Sequence, residues 1–242
     1  MQSCVQSLTF GSGFYHSLTG VTFPSSLHSF TFGLNFDQDL EGVTFPSSLQ
    51  SLTLAGAFNK SLVGVTCPSG LQSLTLVGAF KSLVGVTFPS GLQSLTLFNQ
   101  NLVGVTFPGS LQSLTFGRAF NQSLVGVTFP GSLQSLTFGG AFNLKSLVGV
   151  TFPSSLQSLT FGGAFNLKSL GGVTFPNSLQ SLTFGGAFNQ SLVGVTFPST
   201  LQSLTLGDGF NQSLQGVTFP RSLQTLVLQS VSVSCDDVAD GI

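Results

Sequence analysis

In the segment Leu133-Gln134-Ser135-Leu136-Thr137-Phe138, apolar side chains hold the first, fourth and sixth places, and from Ser135 onward polar and apolar residues alternate. A period of two sends neighbouring side chains to opposite faces of an extended chain, so Leu136 and Phe138 point inward and Ser135 and Thr137 outward. A second alternating stretch, Gly126-Val127-Thr128-Phe129, stops at Pro130, which cannot donate to a ladder. Gly-Gly-Ala and Phe-Asn-Gln-Ser lie between such stretches. They are turn material, in which Gly supplies positive φ and Asn bonds its own backbone. No segment of ten residues carries the 3.6 period of an amphipathic helix. The pattern predicts one clear strand, a second short strand and tight turns.

This unit repeats along nearly the whole chain. Prolines at 24, 46, 68, 89, 108, 130, 153, 176, 198 and 220 are separated by 22, 22, 21, 19, 22, 23, 23, 22 and 22 residues. Phenylalanine keeps the same phase in three columns. One runs through Phe14, Phe36, Phe58, Phe80, Phe98, Phe120, Phe142, Phe165, Phe188 and Phe210, a second precedes proline, and a third shares its place with Leu. A ring recurring at one phase of every turn stacks along an axis and buries roughly 150–250 Å² each time. The prediction is an all-β solenoid of about ten 22-residue coils with no α-helix in the repeats. At the parallel-strand spacing of about 4.8 Å, ten coils would form a rod roughly 48 Å long. Residues 1–228 read as a single solenoid and 229–242 as an acidic C-terminal cap or tail, in which Val231-Ser232-Val233 reads as an extra strand. The short unit at Leu97-Phe98-Asn99 and the one-residue insertions within Phe142-Asn143-Leu144-Lys145 and Phe165-Asn166-Leu167-Lys168 are expected to be absorbed in surface turns.

The full unit reads L-x-x-L-x-L/F, then F-N-x-x-L, then G-V-x-F-P and S-L, as in Phe142-Asn143, Phe188-Asn189 and Phe152-Pro153-Ser154-Ser155-Leu156. It resembles the FNIP repeat, a short relative of leucine-rich repeats, from about Val5 to Leu228. Where that family usually has Ile-Pro after Phe-Asn, this chain has Gln-Ser or Leu-Lys, which alters the turn and leaves the coil. The resemblance implies a right-handed, leucine-rich-repeat-like solenoid used for binding, and does not fix the ligand.

Composition narrows the function. Six Lys+Arg against seven Asp+Glu give a net charge of −1, and charged residues make up 5% of 242. Such a chain lacks the clustered cations that nucleic acid requires. Its 26 Phe set it apart from disordered sequences. Polar residues interrupt every apolar run, so no membrane span is expected. The N-terminal residues show no secretory pattern, which makes cytoplasmic the default location, and extracellular the requirement for ice binding. Cys4, Cys67 and Cys235 are too few and too irregular for a disulfide framework or metal site. Cys67 stands where other coils have Phe and reads as a buried apolar residue.

Candidate chemistry is sparse. His16 lies one coil before Asp37 and Asp39, with Glu41 and Lys60 nearby. Such a group could hold a divalent metal or do acid–base work, but a solvated charge patch explains it more simply. Serine is everywhere and its histidine partner is not, and no glycine run opens a phosphate-binding helix. The chain is expected to be non-catalytic and to need no cofactor. Asn at 59, 99, 121, 143, 166, 189 and 211 forms a ladder expected to be buried and to satisfy turn backbone. His28 replaces an outward Gln, and Asn121, Asn189 and Asn211 begin Asn-x-Ser sequences that matter only after secretion.

The outward strand positions are the remaining candidate. Ser73, Ser94, Ser113, Ser135, Ser158 and Ser181 form one column of a ladder, and Thr75, Thr96, Thr115, Thr137, Thr160 and Thr183 form the column beside it. Thr106, Thr128, Thr151, Thr174 and Thr196 make a second ladder. Outward strand residues are expected to contribute little burial and to present a flat lattice of hydroxyl and methyl groups. Small hydroxyl residues suit exposed strands in any case. As a surface, the ladder suggests a scaffold that binds a protein partner, with ice as the alternative ligand for so regular an array. Self-association through the N-terminal coil is also expected, since Val5-Gln6-Ser7-Leu8-Thr9-Phe10 already has the repeat pattern.

Overall fold

A computed structural model describes residues 4–78, 82–142, 147–167, 169–228 and 231–234. Each coil contributes one strand. These are β1 (Ser7–Thr9), β2 (Ser29–Thr31), β3 (Ser51–Leu54), β4 (Ser73–Leu76), β5 (Ser94–Leu97), β6 (Ser113–Phe116), β7 (Ser135–Thr137), β8 (Ser158–Thr160), β9 (Ser181–Phe184), β10 (Ser203–Leu206), β11 (Thr225–Leu228) and β12 (Val231–Ser234). They form one sheet in chain order. Strands β1 to β11 are parallel, with Leu136 beside Leu159 and Thr137 beside Thr160. Strand β12 reverses direction and pairs antiparallel to β11, Leu228 opposite Val231.

The alternation read from the sequence sets this register. Leu95, Leu114, Leu136, Leu159 and Leu182 are fully buried, while the Ser and Thr on either side of each are half-buried. Before each strand from β2 to β11 the backbone forks. The amides of Gln134 and Ser135 both donate to the Gln112 carbonyl, at 2.8 and 2.9 Å. After each proline a tight turn closes with a bond such as Leu133 N–H to the Pro130 carbonyl, 3.1 Å. The serine before that Leu donates back one coil, as Ser132 Oγ does to the Leu111 carbonyl at 2.6 Å. A second turn needs glycine: Val127 N–H donates to the Leu124 carbonyl, and Gly126 between them has φ 79°.

Only one strand forms per coil, which corrects the expectation of a second at Gly-Val-Thr-Phe. No backbone bond joins these segments in neighbouring coils among the described residues. The reason is spacing. If coils were related by translation alone, every pair of equivalent points would be one strand spacing apart, about 4.8 Å. Rings beside the strands come closer to that, from 5.1 Å for Phe116–Phe138 to 5.9 Å for Phe10–Phe32. In the column before proline the separations run from 6.1 Å for Phe197–Phe219 to 6.5 Å for Phe107–Phe129. The coils therefore fan apart away from the sheet, too far for a second ladder. A fan of this sense curves the stack of coils, which the sequence left open, into an arc with its strands on the inner side.

Two irregular coils also differ from expectation. In the lengthened coil, Leu167 is fully buried and joins the core instead of a surface turn. In the shortened coil, Phe98 leaves its column and is half-buried, and Gln100 takes up core space at 2% exposure. Both ends of that amide are bonded: Phe98 N–H donates to Oε1 at 2.9 Å, and Nε2 donates to the Gly78 carbonyl at 3.0 Å. Phe80 and Leu144 fall outside the described residues, as do Asn143 and Cys235.

Candidate interaction surface

The inner face is built by the strands and the residue before each. Along it, Gln50, Gln72, Gln93, Gln112, Gln134, Gln157, Gln180 and Gln202 form a column in successive coils, and all are exposed. Beside them run Ser73, Ser94, Ser113, Ser135, Ser158 and Ser181, and beyond these Thr75, Thr96, Thr115, Thr137, Thr160 and Thr183. The structure thus brings the sequence-derived ladder onto one continuous face.

How far that ladder reaches into solvent needs correction. Thr75, Thr96, Thr115 and Thr183, like Thr137 and Thr160, are half-buried, not freely presented. So are the serines of the ladder. The cause is the register. Thr75 sits level with Thr96, Thr96 with Thr115, and Thr160 with Thr183 in adjacent strands. Parallel strands are about 4.8 Å apart, so each short side chain is walled in by its equivalents on both sides. The longer Gln side chains stand clear of this wall and form the most solvent-exposed part of the face. The Gln phase was visible in the sequence, but alternation alone did not show that Gln would be more exposed than Ser or Thr.

From Gln50 to Thr205, the outward residues of this face are only Gln, Ser and Thr. His28 occupies the Gln column one coil earlier, its Nδ1 2.6 Å from the Ser26 carbonyl oxygen.

The other ladder lies on the outer side. Thr106, Thr128, Thr151, Thr174 and Thr196 are exposed, on segments without strand partners. A groove of about 600 Å³ opens between two of these coils, lined by Thr174, Asn177, Thr196 and Pro198 among others. Six coils carry on this side a ridge the sequence reading did not single out. Val63, Val84, Val103, Val125, Val148 and Val193 stand 49–57% exposed at the first position of the Val-Gly turn.

The acids near His16 serve the turns. Asp37 occupies the place held elsewhere by Asn, and its Oδ1 accepts the Asn59 N–H at 2.8 Å. Asp39 occupies the place of a turn serine and accepts the Glu41 N–H at 2.8 Å, as Ser191 Oγ accepts from Val193 at 3.2 Å. Lys60 pairs with Asp37 at 3.5 Å on an exposed surface. Among the described residues, no three of His, Cys, Asp and Glu are placed to hold a metal ion.

The Asn column satisfies backbone as expected, but from the surface and across coils. Asn121 N–H donates to Asn99 Oδ1 at 3.1 Å, and Asn211 N–H to Asn189 Oδ1 at 2.9 Å. Asn59, Asn99, Asn121, Asn166 and Asn211 are exposed, which overturns the buried ladder. Where the coils fan apart, backbone no longer reaches backbone, and an amide side chain spans the gap. Cys67 is half-buried against the core, and desolvation raises its thiol from 9.0 to about 11. No helix among the described residues is long and apolar enough to cross a membrane.

Comparison with known proteins agrees with this architecture. The FNIP Repeat family model matches residues 14–57, 98–141, 142–186 and 165–209. Among solved structures, the chain is similar to CroV588, described as a novel circular leucine-rich-repeat protein. The identity is 30% and the TM-score 0.57, over 93% of this chain and 40% of that one. It also matches YopM from Yersinia enterocolitica WA-314, at 13% identity and TM-score 0.36, over 86% of this chain and 65% of that one. A leucine-rich-repeat protein from Bacteroides ovatus ATCC 8483 matches at 14% identity and TM-score 0.21, over 95% and 68%. The chain spans well under half the length of CroV588 and about two thirds of the other two. No curated protein matches it.

Proposed function

The chain belongs to the FNIP repeat family, with a leucine-rich-repeat-like fold, and from that premise we propose that it is a non-catalytic scaffold whose inner strand face binds a protein partner. One observation carries the reading: the unbroken, in-register face of Gln, Ser and Thr on the inner side of the arc. A concave sheet surrounds a rounded partner and gathers contacts from many coils, each contributing little alone. The ladder from Ser73 and Thr75 to Ser181 and Thr183 is the central part of that surface, offering the partner the exposed fraction of each half-buried hydroxyl.

The test is affinity capture from source cells with wild type and a double variant, Thr137→Arg with Thr160→Arg, with captured proteins identified by mass spectrometry. A protein retained by wild type and lost by a variant of unchanged melting temperature supports the reading. Identical capture by both overturns it and moves attention to Thr128, Thr151 and Thr174. Pairing of two copies through the first coil, where Leu8, Phe10 and Phe14 are half-buried, predicts a concentration-dependent heavier species in sedimentation. An ice surface would need a flat array, and the fan of the coils works against it; absence of thermal hysteresis is the expected result.

A further inference from the structure

The Gln column points to the chemistry of the partner. We propose that this column is the main contact set of the inner face, and that it selects an uncharged polypeptide segment rich in amide and hydroxyl groups. The proposal rests on the reading of the strand face as a protein-binding surface and goes further by naming what that surface accepts.

Exposure is the first argument. Gln112, Gln134, Gln157 and Gln180 are exposed in four successive coils, whereas the Ser and Thr beside them are half-buried. Any partner laid on the face meets the amides first. Each Gln is held at its root, because its own N–H and that of the next Ser both donate to the preceding Gln carbonyl. The backbone is thus fixed while the side chain stays free to present two donors and an acceptor. Such a group pairs equally well with a peptide bond, a hydroxyl or another amide.

Charge is the second argument. The outward residues from Gln50 to Thr205 include no ionisable side chain. Arg118 and Asp208 lie in the turn that follows a strand, off the face itself. A carboxylate or ammonium pressed against this surface would lose hydration and find no opposite charge. Specificity then comes from rejection: neutral polar segments are tolerated and charged ones are penalised. With no ion pairs to screen, binding should be nearly independent of salt.

The probe is a library of phage-displayed random dodecapeptides, selected on the full chain and counter-selected on the double variant Gln134→Ala with Gln157→Ala. A second double variant, Gln134→Asn with Gln157→Asn, keeps the amide and replaces the first if that one melts early. Clones that need the two glutamines should be depleted in Asp, Glu, Lys and Arg relative to the starting library. Their affinity should change less than about twofold between 50 and 500 mM NaCl. If Gln-dependent clones are rich in charge, or lose tenfold in salt, the strand face still binds peptides and the neutral-partner proposal falls. If no clone depends on the two glutamines, the binding role of the strand face falls with it.

Discussion

Gly185 lies directly against the carbonyl of Gly162 in the preceding coil, so closely that a Cβ at 185 would collide with the oxygen. The same approach recurs between Gly162 and Gly139, and between Gly139 and Gly117. Neither Gly162 nor Gly185 has positive φ, so the demand is for absence of a side chain and not for backbone freedom. The neighbour, Gly186, has only an ordinary contact at 3.8 Å. Gly185→Ala should therefore cost about 2 kcal/mol or more, because backbone must move. Gly186→Ala should be neutral or slightly stabilising, by up to about 1 kcal/mol. Chemical denaturation of the pair checks this, and equal effects would refute the stacking argument.

Cys67 interrupts the ring column between Phe45 and Phe88, and a small cavity of about 10 Å³ lies beside it among Leu52, Leu62, Leu74 and Val86. Cys67→Phe should restore the column and raise stability by about 1 kcal/mol in chemical denaturation, and a loss would show that the neighbours do not open for the larger ring. The thiol gives an independent check. Its folded pKa, raised by burial to about 11 from 9.0, means that folding favours the neutral form. That contribution is complete below about pH 9 and is lost as pH rises from 9 toward 11. In native protein near pH 8, the exposed Cys4 should react with maleimide well before Cys67 does.

Gln100 predicts a large loss from a small change. Its amide satisfies Phe98 N–H and the Gly78 carbonyl in a coil that lacks the usual ring. Gln100→Ala strands both backbone groups and leaves a hole, so a loss of roughly 2–4 kcal/mol follows. Gln122→Ala, at the equivalent but less buried place one coil later, should cost under about 1 kcal/mol. Melting temperatures of the two variants separate these cases.

Much of this fold was legible because a repeat averages over its own noise. Ten phased prolines located the coils, and the Ser-Leu-Thr alternation fixed strand register and inward side chains. What the pattern did not carry was distance between coils. Alternation at Gly-Val-Thr-Phe satisfies the local rule for a strand, but pairing requires neighbours about 4.8 Å away, and the ring stacks hold them wider. Where coils do come that close, the same distance half-buries Thr75, Thr96, Thr115 and Thr183, which alternation alone presents as free. The fan also put the Asn ladder at the surface, since side chains bridge where backbones part. Leu167 was illegible for another reason: an insertion is placed by whichever side chain gains most from burial. Asp37 and Asp39 were readable in principle, because aligning coils on proline puts them in the Asn and Ser columns.

Asp37 can be tested along that line. Asp37→Asn keeps an oxygen for Asn59 N–H and removes only the exposed pair with Lys60, so stability should move by less than about 0.5 kcal/mol. Asp37→Ala removes the acceptor too and should cost about 1 kcal/mol. If Asn were as damaging as Ala, the carboxylate would have a role beyond the turn.

Backbone exchange distinguishes an arc from a straight two-ladder solenoid. Strands such as β6 to β9 have parallel partners on both sides. The amides of Thr128, Thr151 and Thr174, on the outer side, have no backbone partner. Exchange requires opening for the first group and little more than solvent access for the second. Native-state hydrogen exchange followed by NMR should show the amides of Leu136, Leu159 and Leu182 protected by several orders of magnitude more than those of Thr128, Thr151 and Thr174. Comparable protection at both sets would mean that the outer segments do form a second ladder. It would require the coils to close to strand spacing there, and the inner face would then be flat. A flat face would restore the ice surface as a ligand, so the measurement bears on function as well as on shape.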